Sequence, residues 1–317
     1  HLLFHPHNTY ISTVLHHLLT HPPFTTLFTC TRIDTWPPPP SSTPSSTSHP
    51  PLYLLPLCQR CTTPLPKHYL AYQLEQLPVS PLGNNRNYAD RLFRALQCWD
   101  YSRANAVHYQ SAPVFVEAAN PSRTTPAFRW MPVPVLPVSE GVFDGTRPED
   151  KSLVDVLFYG AWNTRRRRIM KRLTELLALR GYTVKCLHNV YGDTLYEWIR
   201  RSRIVIHLNY YSNALLATYR LNEALSHQRV VVAERPSANT DQENVDLYAD
   251  SGVCFVDPLD DTADDVQQKL FYPVYNRLRQ PKLYRECVRL GQDFATQHVA
   301  TYRARMETVL QEARMAM

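Results

Sequence analysis

The chain has 317 residues, 44% hydrophobic and 20% charged, proportions of a globular protein with room for two domains. Its net charge of +6 is concentrated: residues 1–150 carry 10 Lys/Arg against 9 Asp/Glu, and the run Arg165 to Arg168 nearly accounts for the remaining excess, which argues against a broad nucleic-acid footprint. No apolar run approaches the roughly 18 residues that span a bilayer, and seven scattered cysteines, an odd number, fit a reducing intracellular compartment, the cytoplasm or an organelle interior such as the mitochondrial matrix, better than a secreted disulfide framework.

The first residue is His, so a fragment or processed product is expected, with any targeting leader out of view. In chain order the pattern predicts a short strand at 2–5, a helix capped by Asn8 or Thr9 and running to about residue 20, and a strand near 25–30, a βαβ beginning. His5 and His7, and His16, His17 and His21, have metal-like spacings on paper; without an accompanying Glu pattern an amphipathic helix face is the reading. The segment TWPPPPSSTPSSTSHPP (35–51) is low-complexity and reads as a loop. Cys58 and Cys61 have zinc or redox spacing, but a structural zinc needs four ligands and no second pair follows, so an incidental pair in a Pro-rich connection is expected. LYLLPL and HYLAYQLEQL read as strands or strand-to-helix units, and NYADRLFRALQCWDYS reads as a helix on the spacing of Leu92, Leu96 and Trp99. FRWMPVPVLPV is extended, its prolines suiting an edge or a connection.

The second half is more regular, and 22 of the 26 prolines lie before residue 150. LVDVLFYG reads as a buried strand and GYTVKCL, RIVIHLNYY, RVVVAE and GVCFVD read as strands, with helices at 165–179, 193–202 and 218–226 between them. Strands alternating with helices at this spacing predict a doubly wound parallel sheet, and from Ala263 onward the chain reads as helical to its end. Ligands of such sheets sit beyond the strand carboxyl ends, so 160–164, 209–213 and 234–239 are the positions to watch. The four arginines project about 100° apart on one helix, so at most two can serve one ligand; phosphate contact by Arg165 or Arg166 and a solvated or partner-facing surface both stay open.

The strings VLFYGAWNTRRRRIMKRL, SRIVIHLNYY and YRLNEALSHQRVVVAE, with YLAYQLEQL and ALQCWDYSRAN upstream, together resemble the GT-B glycosyltransferases, specifically a CgeB-like group that uses nucleotide sugars. The resemblance implies an α/β chain of two Rossmann-like domains facing a cleft, with an acceptor-side domain at 1–145, a nucleotide-sugar domain at 150–260 and carboxy-terminal helices at 261–317. It also implies metal-independent transfer of a sugar to an acceptor. Gly160 would allow close backbone approach at a helix start that attracts a diphosphate, with Asn163, Arg165 and Arg220 near phosphate. Glu223 would hold ribose hydroxyls, and Tyr210 with Tyr211 would meet the base. Glu75 and Asp100, the latter beside Tyr101 and Ser102, would face the cleft as candidate acceptor bases. In many such enzymes a second glutamate stands where this chain has Leu215, a glycine stands within Ser226–Gln228, and the chain holds only 8 glycines. The alternative is therefore a catalytically inactive GT-B-like structural subunit of a larger assembly, with protein subunits in place of the nucleotide sugar as partners.

Overall fold

The computed structural model describes residues 2–3, 9–24, 30, 32–33, 52–56, 65–119, 126–143, 154–211, 213–237 and 241–317. Outside them lie the Pro/Ser tract, His5, His7, the Cys58/Cys61 pair and most of the strand expected at 25–30. Two units emerge: His1–Pro134 with Ala300–Met317, and Val135–Val299.

In the first unit β1 (Leu2–Leu3), α1 (Thr9–Leu19), β2 (Arg32–Ile33), β3 (Tyr53–Pro56), β4 (Tyr69–Gln73), α2 (Arg86–Phe93), β5 (Gln97–Asp100), α3 (Ala104–Ser111), α4 (Pro113–Ala118) and β6 (Ala127–Trp130) follow one another. Their strands form one all-parallel sheet in the order β2-β1-β3-β4-β5-β6. The helix expected through Trp99 stops at Phe93, and Gln97 to Asp100 is instead a buried strand between β4 and β6. A run as short as Gln97-Cys98-Trp99 satisfies either period, and pairing on both sides decides for the strand. After the edge strand β6 the proline-rich residues 131–137 form neither helix nor strand and serve as a connection.

The second unit contains β7 (Val154–Tyr159), α5 (Thr164–Ala178), β8 (Val184–Leu187), α6 (Gly192–Arg201), β9 (Ser202–His207), α7 (Thr218–Ser226), β10 (Val230–Glu234), α8 (Gln242–Leu247) and β11 (Cys254–Val256). A short α9 (Ala263–Asp265) and a π-helical stretch at Val266–Phe271 lead into α10 (Tyr272–Arg279), and α11 (Pro281–Met315) begins here. Its sheet is also wholly parallel, in the order β11-β10-β9-β7-β8. In both sheets the third strand lies beside the first, so winding reverses between β1 and β3 and again between β7 and β9.

Helix α5 shows how sequence makes these elements. Asn163 caps it, its side chain accepting from the Arg166 amide at 2.8 Å. Ile169, Leu173 and Leu177 follow at intervals of one turn and are buried against Val156, Phe158 and Ile206. The helix ends where Gly181 takes φ +78, with the Tyr182 amide returning to the Leu177 carbonyl at 3.1 Å.

Candidate functional site at the second sheet's reversal point

The carboxyl ends of β7 and β9 flank the reversal, and the backbone turns sharply at the first of them. Gly160 follows Tyr159 at φ +141, a conformation that side-chain-bearing residues rarely adopt. A Cβ there would lie only 3.1 Å from Cζ of Arg220, so the open side of the glycine is occupied by a guanidinium.

Arg220 reaches this position from α7. Its Nε donates to the Tyr219 hydroxyl at 2.9 Å and its Nη1 to the Tyr159 carbonyl at 3.3 Å, and no described carboxylate pairs with it. Burial disfavours its charge, but the Tyr219 and Tyr159 hydroxyls and the Glu223 carboxylate outweigh burial and raise its pKa. Glu223 lies on the same face of α7, three residues on. It is 7% exposed, and its Oε2 accepts from the Tyr159 hydroxyl at 2.7 Å. Burial pushes its carboxyl up to about 7, while the Tyr159 hydrogen bond and Arg220 restrain the shift.

The arginine run divides by helix geometry. Arg165 directs all five N–H groups to protein acceptors: both oxygens of Glu234, the Asn209 carbonyl, and the Leu259 carbonyl twice. Arg166 is 2% exposed and donates to the carbonyls of Ala161, Leu208 and Asn209. Burial, then Arg220, lowers its pKa to about 9, which leaves it charged at neutral pH. Arg167 is exposed, and Arg168 is exposed and pairs with Asp261 at 2.9 Å. Two arginines therefore do point at the corner, and the groups they meet there are backbone carbonyls and Glu234.

Tyr210 is 39% exposed, with its ring 5.1 Å from the Arg166 guanidinium carbon and edge-on to Tyr211, and its carbonyl accepts from Asn163 Nδ2 at 2.7 Å. Sequence reasoning did not single out His207, the last residue of β9. It is buried, its Nε2 has no hydrogen-bond partner among the described residues, and burial, with Arg220 and Arg166 nearby, holds it neutral well below its usual pKa. Tyr159 was equally unmarked, because an aromatic closing an apolar strand looks like core.

The other two predicted residues belong to the first unit. Asp100, at the carboxyl end of β5, is buried and its carboxylate takes four hydrogen bonds, from Ser102 N (2.9 Å), Asn105 Nδ2 (2.9 Å), Gln73 Nε2 (3.4 Å) and the Tyr109 hydroxyl. Burial nonetheless raises its carboxyl to about 7. Glu75 lies beyond β4, half-buried, its carbonyl accepting from Gln73 and Asn105. An open pocket of about 720 Å³ beside Lys67, Arg91 and Arg94 adjoins Tyr69, at the opposite end of β4. Among the described residues no group of His, Cys, Asp and Glu could hold a metal ion, and no helix is long and apolar enough to cross a membrane.

No family model matches the chain, and no curated protein sequence matches it. Solved structures do. An α-glucosyltransferase in complex with UDP-glucose and DNA containing an abasic site aligns at a TM-score of 0.55 and 12% identity, over 82% of this chain and 79% of its own. The Anabaena HepE protein in complex with UDP and glucose aligns at 0.49 and 14% identity, over 77% and 71%. Spinosyn forosaminyltransferase SpnP aligns at 0.43 and 12%, over 78% and 76%. The first of these likenesses shows the fold, two parallel α/β sheets with carboxy-terminal helices, the GT-B fold that the resemblance in the sequence implied.

Proposed function

We propose that this GT-B-fold chain is a glycosyltransferase that binds a nucleotide sugar at the reversal point of its second sheet and transfers the sugar to an acceptor. The observation that carries this reading is the Arg220/Glu223 pair. One face of α7 presents a cation with no described carboxylate partner and, three residues on, a buried carboxylate beside it. These are the charges that a diphosphate and a ribose require. Exposed Tyr210 offers the base a stacking surface.

The leaving diphosphate is then neutralised by Arg220 and by the first amides of α5. Arg165 supports the site by holding the strand-end loops, and Gly160 supports it by admitting the Arg220 guanidinium. Of the two first-unit carboxylates, half-exposed Glu75 is better suited to meet an acceptor hydroxyl than Asp100, whose oxygens already take four donors.

A second reading keeps the fold without transfer, as a structural subunit of a larger assembly. Leu215, 1% exposed where the resemblance asks for a glutamate, favours it.

One measurement separates the two. Thermal unfolding of the whole chain is followed with UDP, GDP, TDP and their glucose conjugates. A ligand at 100 times its Kd stabilises the native state by about 2.7 kcal/mol, and Arg220→Ala is expected to abolish the shift. No shift with any of them at millimolar concentration would sink the transferase reading; a shift without turnover would favour the second.

A further inference from the structure

The pocket beside Lys67, Arg91 and Arg94 opens at the start of β4. Gln73 and Glu75 stand at and beyond that strand's carboxyl end, the end at which sheets of this kind hold substrates. Helix α2 builds one wall. Its residues Tyr88, Ala89, Leu92 and Phe93 pack into the core of the first unit, and Asn87, Asp90, Arg91 and Arg94, spaced i, i+3, i+4 and i+7, form the opposite stripe along the pocket. The chain entering β4 builds the other wall with Leu65, Pro66, Lys67 and Tyr69. The Tyr69 hydroxyl donates to the Arg91 carbonyl and ties the two walls together.

Among the lining residues three cations stand against one carboxylate, Asp90, an excess of two positive charges. Lys67 and Arg94 are exposed, and their side chains make no hydrogen bond or ion pair with any described residue. At the head of the same helix, by contrast, Arg86 pairs with Glu117 at 3.4 Å. The volume of about 720 Å³ is that of a small-molecule site, and Leu65, Pro66 and the Tyr69 ring give it an apolar side. We propose that this pocket is a second ligand site, for a phosphate monoester carrying a small apolar body. The dianion matches the excess charge, and Lys67 and Arg94 supply charged donors to its oxygens from opposite walls. A nucleic acid would need a basic surface running beyond the pocket, and residues 1–150 hold 10 Lys/Arg against 9 Asp/Glu. A phosphate monoester of this kind comes either from a soluble metabolite or from the headgroup of phosphatidic acid.

The test is calorimetric titration of the whole chain with phenyl phosphate, with phenol as the neutral control. Saturable binding of phenyl phosphate and none of phenol is expected. Because both side chains are exposed, Lys67→Ala/Arg94→Ala leaves the fold standing. It is expected to weaken binding by about tenfold or more, through the loss of two charge-assisted hydrogen bonds. Arg167→Ala, which removes an exposed arginine of the second unit, and Arg220→Ala, at the reversal point, are expected to leave the affinity unchanged. Flotation with phosphatidylcholine vesicles, with and without phosphatidic acid, then distinguishes the sources. Flotation that needs phosphatidic acid and is lost in Lys67→Ala/Arg94→Ala supports the site and assigns it to a membrane; phenyl phosphate binding without flotation supports it and assigns it to a soluble phosphate. No binding of phenyl phosphate at millimolar concentration overturns the proposal. So does equal weakening by Arg167→Ala, the mark of diffuse anion attraction, or loss through Arg220→Ala alone, which would seat the ligand at the reversal point.

Discussion

Two carboxyls in this chain are ionisable against the grain of their surroundings. Asp100 and Glu223 both titrate near 7 when folded, from ordinary values of 3.8 and 4.5, and burial is the largest cause in each. Between those limits the native state keeps protons that the unfolded chain has already released. Their contribution to stability is therefore complete below the unfolded values and is lost as pH rises through about 7. The urea midpoint is expected to fall between about pH 5 and pH 8, and Asp100→Asn, which keeps the shape but cannot ionise, to flatten that slope; an unchanged slope would refute the assignment. At Gly160 the expectation is steric. Gly160→Ala forces a side chain into φ +141 and against the Arg220 guanidinium, at a cost of about 2 kcal/mol. Adding Arg220→Ala should relieve the clash but not the backbone strain, so the double variant recovers only part of the loss in thermal unfolding. Which of these residues the sequence reveals follows from distance along the chain. Arg220 and Glu223 are legible because one helix turn joins them. Tyr159 is not, because its partner Glu223 lies 64 residues away and meets it only through the strand order.

Among the elements, the Arg165–Glu234 pair is the one whose removal reaches furthest. Glu234 closes β10 with a side chain only 2% exposed, and it also accepts the amides of Asn209 and Leu259, at 2.8 Å each. One carboxylate thus joins the start of α5, the loop after β9 and the loop after β11. Arg165→Leu strands that buried charge and should cost about 3 to 5 kcal/mol. Arg165→Leu with Glu234→Leu should cost less than the single change, and a double-mutant cycle in urea checks the sign of the coupling. The parallel sheet of the second unit was readable from its alternation of apolar runs and amphipathic helices, whereas the ends of its connections were not. In the first unit, Trp99 shows why some strands escape detection. An interior strand of four residues has too few positions for a period of 2 to separate from one of 3.6, and only the neighbours it pairs with declare it.

For the molecule as a whole, the expected response to ligand is uneven. A nucleoside diphosphate should slow amide exchange at 160–166, 207–211 and 218–223 in the second unit and leave the backbone of β3 to β6 unchanged, as hydrogen–deuterium exchange by mass spectrometry can measure. Protection spread equally over both sheets would argue against a site at the reversal point. The arrangement of the units along the chain has a further outcome in the living cell. The second unit is one continuous stretch, Val135–Val299, whereas the first needs Ala300–Met317 to be complete. On a translating ribosome the later-made unit can finish folding while the earlier-made one waits for the last turns of α11 to emerge. The amino-terminal sheet is thus the part that spends longest unfinished, and the part a chaperone would meet during synthesis.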